Sequence, residues 1–142
     1  MKVIVDTSVW SSALRRGVQN NSAVVAELRH LVQDHRVQMI GPVRQEILSG
    51  IRHDSQFSKL RAHLQNFPDL SILTEDYVTA AKFFNLCRAK GVPGSNTDFL
   101  ICAVAVRNKF AIYSTDKDFD LFSKHIPIMM HRPERATSLH NV

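Results

Sequence analysis

The chain has 142 residues, 44% of them apolar, which suits one globular domain and excludes a disordered chain. Lys and Arg outnumber Asp and Glu by 18 to 13, for a formal charge of +5. That excess draws polyanions such as RNA, DNA or an acidic protein without choosing among them.

Lys2 to Val5 is β-branched and reads as a short strand buried in a parallel sheet. It ends at Asp6, and Thr7-Ser8 caps a helical turn from Val9 to Leu14. Arg15 to Asn21 is polar and reads as a loop. Ser22 opens a helix with Val24, Val25, Leu28, Leu31 and Val32 at helical period, and Val37 to Ile40 is a second strand. Gly41-Pro42 starts the next helix, with Val43, Ile47 and Ile51 on one face and Glu46 beside them. A helix follows over Asp54 to Phe67, then a third strand over Leu70 to Leu73. Thr74 caps a helix whose stripe is Tyr77, Ala80, Ala81, Phe84 and Cys87, ended by Gly91. Beyond the loop Val92 to Asn96, Asn96 or Thr97 caps a very apolar helix starting at Asp98. Phe110 to Tyr113 is a strand, followed by Ser114 and the turn Asp116-Lys117-Asp118. A brief helix over Phe119 to Ser123 leads to a last strand near Ile128.

Strands alternating with helices predict an α/β fold: a three-layer sandwich with a mostly parallel central sheet flanked by helices. One domain spans residues 1–130, and residues 131–142 form a polar C-terminal tail. Cys87 and Cys102 fall in predicted helices and in no CxxC or Cys/His spacing, so buried free thiols are expected. The opening MKVIVD lacks the apolar h-region of a signal peptide, and the longest strongly apolar run, Phe99 to Val106, is too short to cross a bilayer. A soluble, cytoplasmic protein with no membrane partner is expected.

Ligands of parallel sheets gather outside the carboxyl ends of the strands. Asp6 and Asp116 follow strands directly, Asp98 opens a helix, and Glu46 lies one turn into a helix entered from a strand. Four acids from four segments can therefore meet on one rim. Crowded carboxylates raise one another's pKa, and a hard divalent cation relieves that conflict. Such a site suits metal-assisted phosphodiester hydrolysis. Each acid also has an ordinary reading: Asp98 as a first-turn helix residue, Glu46 as a solvated one, and Asp6 or Asp116 as a cap or turn residue.

The segments VIVDTSVW, PVRQEIL, TDFLICAVAV and IYSTDKDF, in this order, resemble the PIN-domain ribonucleases, most closely the VapC-like toxins of toxin–antitoxin pairs. No one motif is specific, but together they cover nearly the whole chain to about Met130. The resemblance implies a Mg²⁺-dependent (or Mn²⁺-dependent) endoribonuclease with Asp6, Glu46, Asp98 and Asp116 as catalytic acids, the three aspartates holding the metal. It implies supporting roles for Thr7, Ser8, Ser114 and Asp118, with Ser114 where the family commonly has Thr. It further implies an RNA substrate (tRNA, rRNA or mRNA), a cognate antitoxin that inhibits the enzyme, and a homodimer formed through the helices between Ser22 and Phe67.

Basic residues must offset the acids if RNA is to approach, and Arg15, Arg16, Arg44, Arg52 and Lys117 are the candidates nearest in sequence. Trp10 and Phe119, beside strand ends in an apolar pattern, read as core or dimer-interface residues and not as base-stacking ones. The seven histidines, His30, His35, His53, His63, His125, His131 and His140, stand away from the acids and are expected at the surface. Rival readings are a PIN nuclease of RNA processing and a PIN module that binds RNA or protein without cutting. A phosphatase or phospho-receiver is disfavoured, because Asp6 lacks a second Asp two residues on and no Lys-Pro follows the late strand.

Overall fold

A computed structural model of the chain describes residues 1–14 and 22–133. Among these residues four short parallel strands, β1 (Val3–Val5), β2 (Val37–Gln38), β3 (Ala111–Tyr113) and β4 (Met129–Met130), form one sheet in the order β2-β1-β3-β4. Every residue of β1 and β3 is buried, as the continuous apolar runs require of strands covered on both faces. Val3 pairs with Val37 on one side and Ala111 on the other, and Val5 pairs with Tyr113.

Among the described residues seven helices surround the sheet: α1 (Thr7–Leu14), α2 (Ala23–Gln33), α3 (Gly41–Leu48), α4 (Asp54–Leu64), α5 (Thr74–Ala89), α6 (Asn96–Asn108) and α7 (Asp118–Phe122). The chain leaves β1 toward β2 and then crosses back over β1 to reach β3. Right-handed crossovers in opposite directions put their helices on opposite faces of the sheet, which gives the expected α/β layering. The same reversal makes the crevice between β1 and β3 the switch point of the sheet. The most apolar helix, α6, is buried from Phe99 to Ala105. Its Phe99 packs on Phe84 and Phe122, at ring centroid distances of 5.6 and 4.6 Å.

Several boundaries depart from the sequence pattern. The strand expected over Leu70 to Leu73 is reduced to one bridge, Met39 to Asp69, with Leu70 N–H donating to Met39 carbonyl at 3.0 Å. The Leu73 N–H is instead taken by the Asp76 carboxylate at 2.9 Å, which turns the chain into α5 before a strand can extend. Thr74 is therefore the first helical residue and not the cap. Helix α6 starts at Asn96 and not at Asp98, because Ser95 is its cap: Ser95 Oγ accepts from Asp98 N–H at 3.0 Å, and Asp98 Oδ2 accepts from Ser95 N–H at 3.1 Å.

Residues just after β4 are not a free tail. His131 N–H donates to the Ile112 carbonyl at 2.7 Å, and its ring meets Glu27 at 2.5 Å and stands edge-on to Tyr113. His131 is thus largely enclosed, against the expectation of a surface histidine. Burial, and then the charge of Glu27, push the Tyr113 phenol above its ordinary pKa. The expected loop 15–21, with Arg15 and Arg16, and the tail from residue 134, with His140, lie outside the described residues. Both cysteines are free and buried, and among the described residues no helix is long and apolar enough to cross a membrane.

Candidate active site

The switch point ends in a cleft of about 450 Å³ lined by Asp6, Thr7, Ser8, Glu46, Ser49, Asp98 and Asp116. All four acids singled out in the sequence are there. Asp6 reaches it because β1 stops at Val5 and Asp6 N–H continues the sheet ladder to the Tyr113 carbonyl at 2.9 Å. Its backbone stays strand-like while α1 starts one residue later, leaving the carboxylate on the carboxyl rim, 6% exposed.

The Asp6 carboxylate is held by the chain on both sides of the switch point. Ser8 Oγ and Ser114 Oγ donate to the same oxygen, Oδ2, at 2.7 and 2.8 Å. Each hydroxyl in turn accepts a backbone N–H of the turn after β3: Thr115 N–H on Ser8 at 3.1 Å, and Asp116 N–H on Ser114 at 3.0 Å. A hydroxyl can donate once and accept as well, so two short side chains relay the polarity of two peptide groups onto one carboxylate oxygen. Ser114 supplies the one hydroxyl oxygen this needs. Asp116 Oδ1 accepts from Asp118 N–H at 2.9 Å, which turns the chain into α7. The Asp118 carboxylate does not line the cleft; its backbone does the shaping.

Glu46 comes from the opposite wall. Pro42 in the first turn of α3 fixes the helix start, and Val43 and Ile47 anchor its inner face, which leaves Glu46 exposed. Thr7 Oγ1 donates to Glu46 Oε1 at 2.7 Å and ties that wall to the end of β1.

A common rule emerges. Each of the four carboxylates gives one oxygen to a protein donor: Asp6 Oδ2, Glu46 Oε1, Asp98 Oδ2 and Asp116 Oδ1. Among the described residues the second oxygen of each has no hydrogen-bond donor, so four oriented carboxylates keep four oxygens for something else. Burial pushes the Asp98 pKa up, the two Ser95 hydrogen bonds oppose it, and the charges of Asp6 and Asp116 add to the rise. Burial, and then Asp98, also hold the Cys102 thiol well above its usual range, so it stays neutral beneath the cleft. Among the described residues no three His, Cys, Asp or Glu side chains close into a ready metal cage. Open rims of this kind suit Mg²⁺, which keeps several waters and takes one or two carboxylates together with substrate phosphates.

Of the basic candidates, Arg44 has another task. Its guanidinium bonds Asp69 Oδ1 through Nε and Nη2 at 3.0 and 2.9 Å and the carbonyls of Leu64 (3.0 Å) and Phe67. It fastens the end of α4 to α3 and is not available to a phosphate. Arg52 and Lys117 are exposed, with no ion-pair partner among the described residues. Trp10 and Phe119 are buried, Trp10 edge-on to Phe67 at 5.2 Å, so neither can stack on a base. Ser49 and Ser95 were missed. Nothing in the pattern marks Ser49, but the spacing Ser95-x-x-Asp98 before an apolar run is a capping-box signal.

This is a parallel α/β protein with a four-carboxylate cleft at the switch point of its sheet. The PIN domain model matches residues 3–124, and the chain belongs to the PIN-domain family. It is similar to a VapC ribonuclease of Mycobacterium bovis and to ribonuclease VapC11 of Mycobacterium tuberculosis, each 30% identical over 126 residues, covering 86% of this chain and 92% of the relative. Solved structures share the fold. VapBC2 from Rickettsia felis, bound to a DNA fragment from its promoter, matches with a TM-score of 0.74 at 15% identity over 94% of this chain and 100% of that one. FitAcB from Neisseria gonorrhoeae matches with a TM-score of 0.72 at 18% identity, over 92% and 96%.

Proposed function

We propose that this protein is a Mg²⁺- or Mn²⁺-dependent endoribonuclease and the toxin of a toxin–antitoxin pair. The observation that carries the chemistry is the set of four carboxylates in one cleft, each with one oxygen held by the protein and one left over. Family membership and relatives named as ribonucleases support RNA as the substrate.

Asp6, Asp98 and Asp116 would hold the divalent ion, since their charges already act on one another. When bound, that ion supplies an acidified water and screens the phosphate charge. Glu46, turned by Thr7, accepts the proton of the attacking water, which adds to phosphorus as the ester oxygen leaves. Ser8 and Ser114 keep Asp6 in one orientation. Asp118 supports Asp116 through the backbone. Arg52 and Lys117 meet the RNA backbone near the acids, with Arg15 and Arg16 as further candidates.

The domain is assigned to residues 1–131, since His131 packs on Ile112, Glu27 and Tyr113. The protein works in the cytoplasm as a homodimer and is silenced by a cognate antitoxin that occupies the cleft. Expression with and without the neighbouring gene, followed by mapping of new 5′ ends in cellular RNA, tests this reading. Growth arrest with discrete RNA cuts, both relieved by the neighbour, is expected. Growth without new RNA ends would overturn it.

A further inference from the structure

One residue that lines the acidic cleft has no role in holding an ion, taking a proton or orienting an acid. It is Ser49, at the end of α3 and three residues beyond Glu46. Residues three apart on a helix share a face, so the Ser49 hydroxyl stands about one turn further along the wall that carries Glu46. A dimer that leaves the acids open to RNA leaves this hydroxyl open as well.

The bonds of Ser49 decide what it can offer. Its backbone N–H and its Oγ both donate to the Gln45 carbonyl, at 2.9 and 2.7 Å. A carbonyl oxygen only accepts, so the single hydroxyl proton is committed to it. Among the described residues no group donates to Ser49 Oγ in return. It therefore presents lone pairs to the cleft, strengthened as acceptors by the bond the hydroxyl gives away.

The other lining side chains are acceptors too. Thr7 and Ser8 give their protons to Glu46 and Asp6, at 2.7 Å each, and ionised carboxylates only accept. No side chain that lines the cleft has a proton left for a ligand, so the ligand must bring the donors. A hydrated divalent ion satisfies the carboxylates, whose charge attracts it. Ser49 is neutral and suits a neutral donor. On a single strand of RNA the phosphate oxygens accept, and the donors are the ribose 2′-hydroxyl and groups on the base edges. The 2′-hydroxyl sits on the carbon next to the one that carries the phosphate, so it is the donor tied most closely to the reacting bond.

We propose that Ser49 Oγ accepts the 2′-hydroxyl of a nucleotide beside the scissile phosphate, and so helps the enzyme to tell RNA from DNA. This rests on the ribonuclease reading above. The cleft is open to water, so the contact should be worth one neutral hydrogen bond, about three- to tenfold in kcat/KM.

The test uses the full chain with Mn²⁺ and a single-stranded RNA oligonucleotide cut at one site, together with copies that carry one 2′-deoxynucleotide at each position flanking the cut. Wild type should cut one of these copies about three- to tenfold more slowly than the all-ribose strand. Ser49→Ala should cut the all-ribose strand more slowly by a similar factor and show no further loss on that copy. Ser49→Thr, which keeps the hydroxyl, should restore the discrimination. The ratio between two substrates is independent of the fraction of active protein, so a poorly folded variant cannot imitate the result. If Ser49 only ends α3 and steadies Glu46, Ser49→Ala slows both strands alike and keeps the wild-type ratio, which would overturn the proposal. A wild type indifferent to every deoxy substitution would overturn it too, as would a ratio that changes with the base and not with the sugar.

If wild type cuts nothing, the ribonuclease reading fails, and binding still decides the role of Ser49. Fluorescence anisotropy without metal compares a labelled RNA strand with DNA of the same sequence. A preference of wild type for RNA that Ser49→Ala loses supports the acceptor, and the same preference, or none, in both proteins refutes it.

Discussion

The two walls of the acidic cleft are built to different standards. The Asp6 wall is buried, joins two adjacent central strands, and is fixed by two hydroxyls that draw on two backbone amides. Glu46, on the other wall, is exposed on a helix and rests on one hydroxyl, that of Thr7. The aspartates act on one another electrostatically: Asp98 is raised in part by Asp6 and Asp116, and Glu46 has no share in that effect. A rigid wall of mutually repelling carboxylates suits an ion. An exposed single carboxylate suits a proton that comes and goes.

The largest effect should come from the rigid wall. Asp6→Asn should lower RNA cleavage about a thousandfold, the scale of losing metal-assisted chemistry, and should weaken Mn²⁺ binding while leaving the circular-dichroism spectrum unchanged. Glu46→Gln should lower cleavage about a hundredfold, as for a lost general base, yet keep Mn²⁺ affinity near that of wild type. If Glu46→Gln lost the metal as fully as Asp6→Asn, the two walls would be equivalent and the division of roles wrong.

Finer changes separate the walls further. Ser114→Ala removes a hydroxyl that holds Asp6, and Thr7→Val removes the one that holds Glu46. Each should reduce cleavage about five- to tenfold, near the value of one hydrogen bond, but Ser114→Ala alone should also weaken Mn²⁺ binding. Gly94 is a link to Asp98 from outside the cleft. A Cβ there would lie 2.5 Å from the Phe122 ring and 2.9 Å from that of Phe99, and the next residue is the Ser95 cap. Gly94→Ala should cost about 1–3 kcal/mol of stability by overpacking, read as a lower urea midpoint, and should loosen Asp98 as well.

The smallest effect lies away from both walls, at the ion pair of Asp76 and Arg107, joined at 2.7 Å. Burial raises the Asp76 pKa, but the Arg107 hydrogen bond, the Leu73 N–H and the Arg107 charge outweigh it and hold the carboxyl below its ordinary value. A carboxyl lowered in the folded state adds stability above its unfolded pKa, about 4, and loses it as pH falls through the folded value. Wild type should therefore lose thermal stability below about pH 4, and Asp76→Asn should lose less of it over that range. Identical acid profiles for the two proteins would remove the pair from the account.

What the sequence disclosed follows the same division. Asp6 and Asp116 were legible because a strand end is a sharp local signal and the rim of a parallel sheet is where ligands sit. Glu46 and Asp98 needed the family pattern, since a helical acid looks the same whether it faces solvent or a cleft. The start of α6 was misplaced by two residues because Asn96 and Thr97 are themselves good caps, and Ser95 prevails through its reciprocal bonds with Asp98. The strand at Leu70 was lost to Asp76, and Arg44 to Asp69. Both turn on partners 3 and 25 positions away in sequence, which side-chain type alone does not announce. Tyr77 had the right helical period and still stands exposed, because nothing covers that end of the α5 stripe among the described residues.

The central claim is that the aspartate wall is a divalent-metal site, and titration of Mn²⁺ into the protein, with free ion counted by electron paramagnetic resonance, tests it most directly. Wild type should bind saturably, and folded Asp6→Asn should bind at least about tenfold more weakly, one lost ligand being worth more than 1.4 kcal/mol. Equal binding by the two proteins, or none by wild type, would contradict the account.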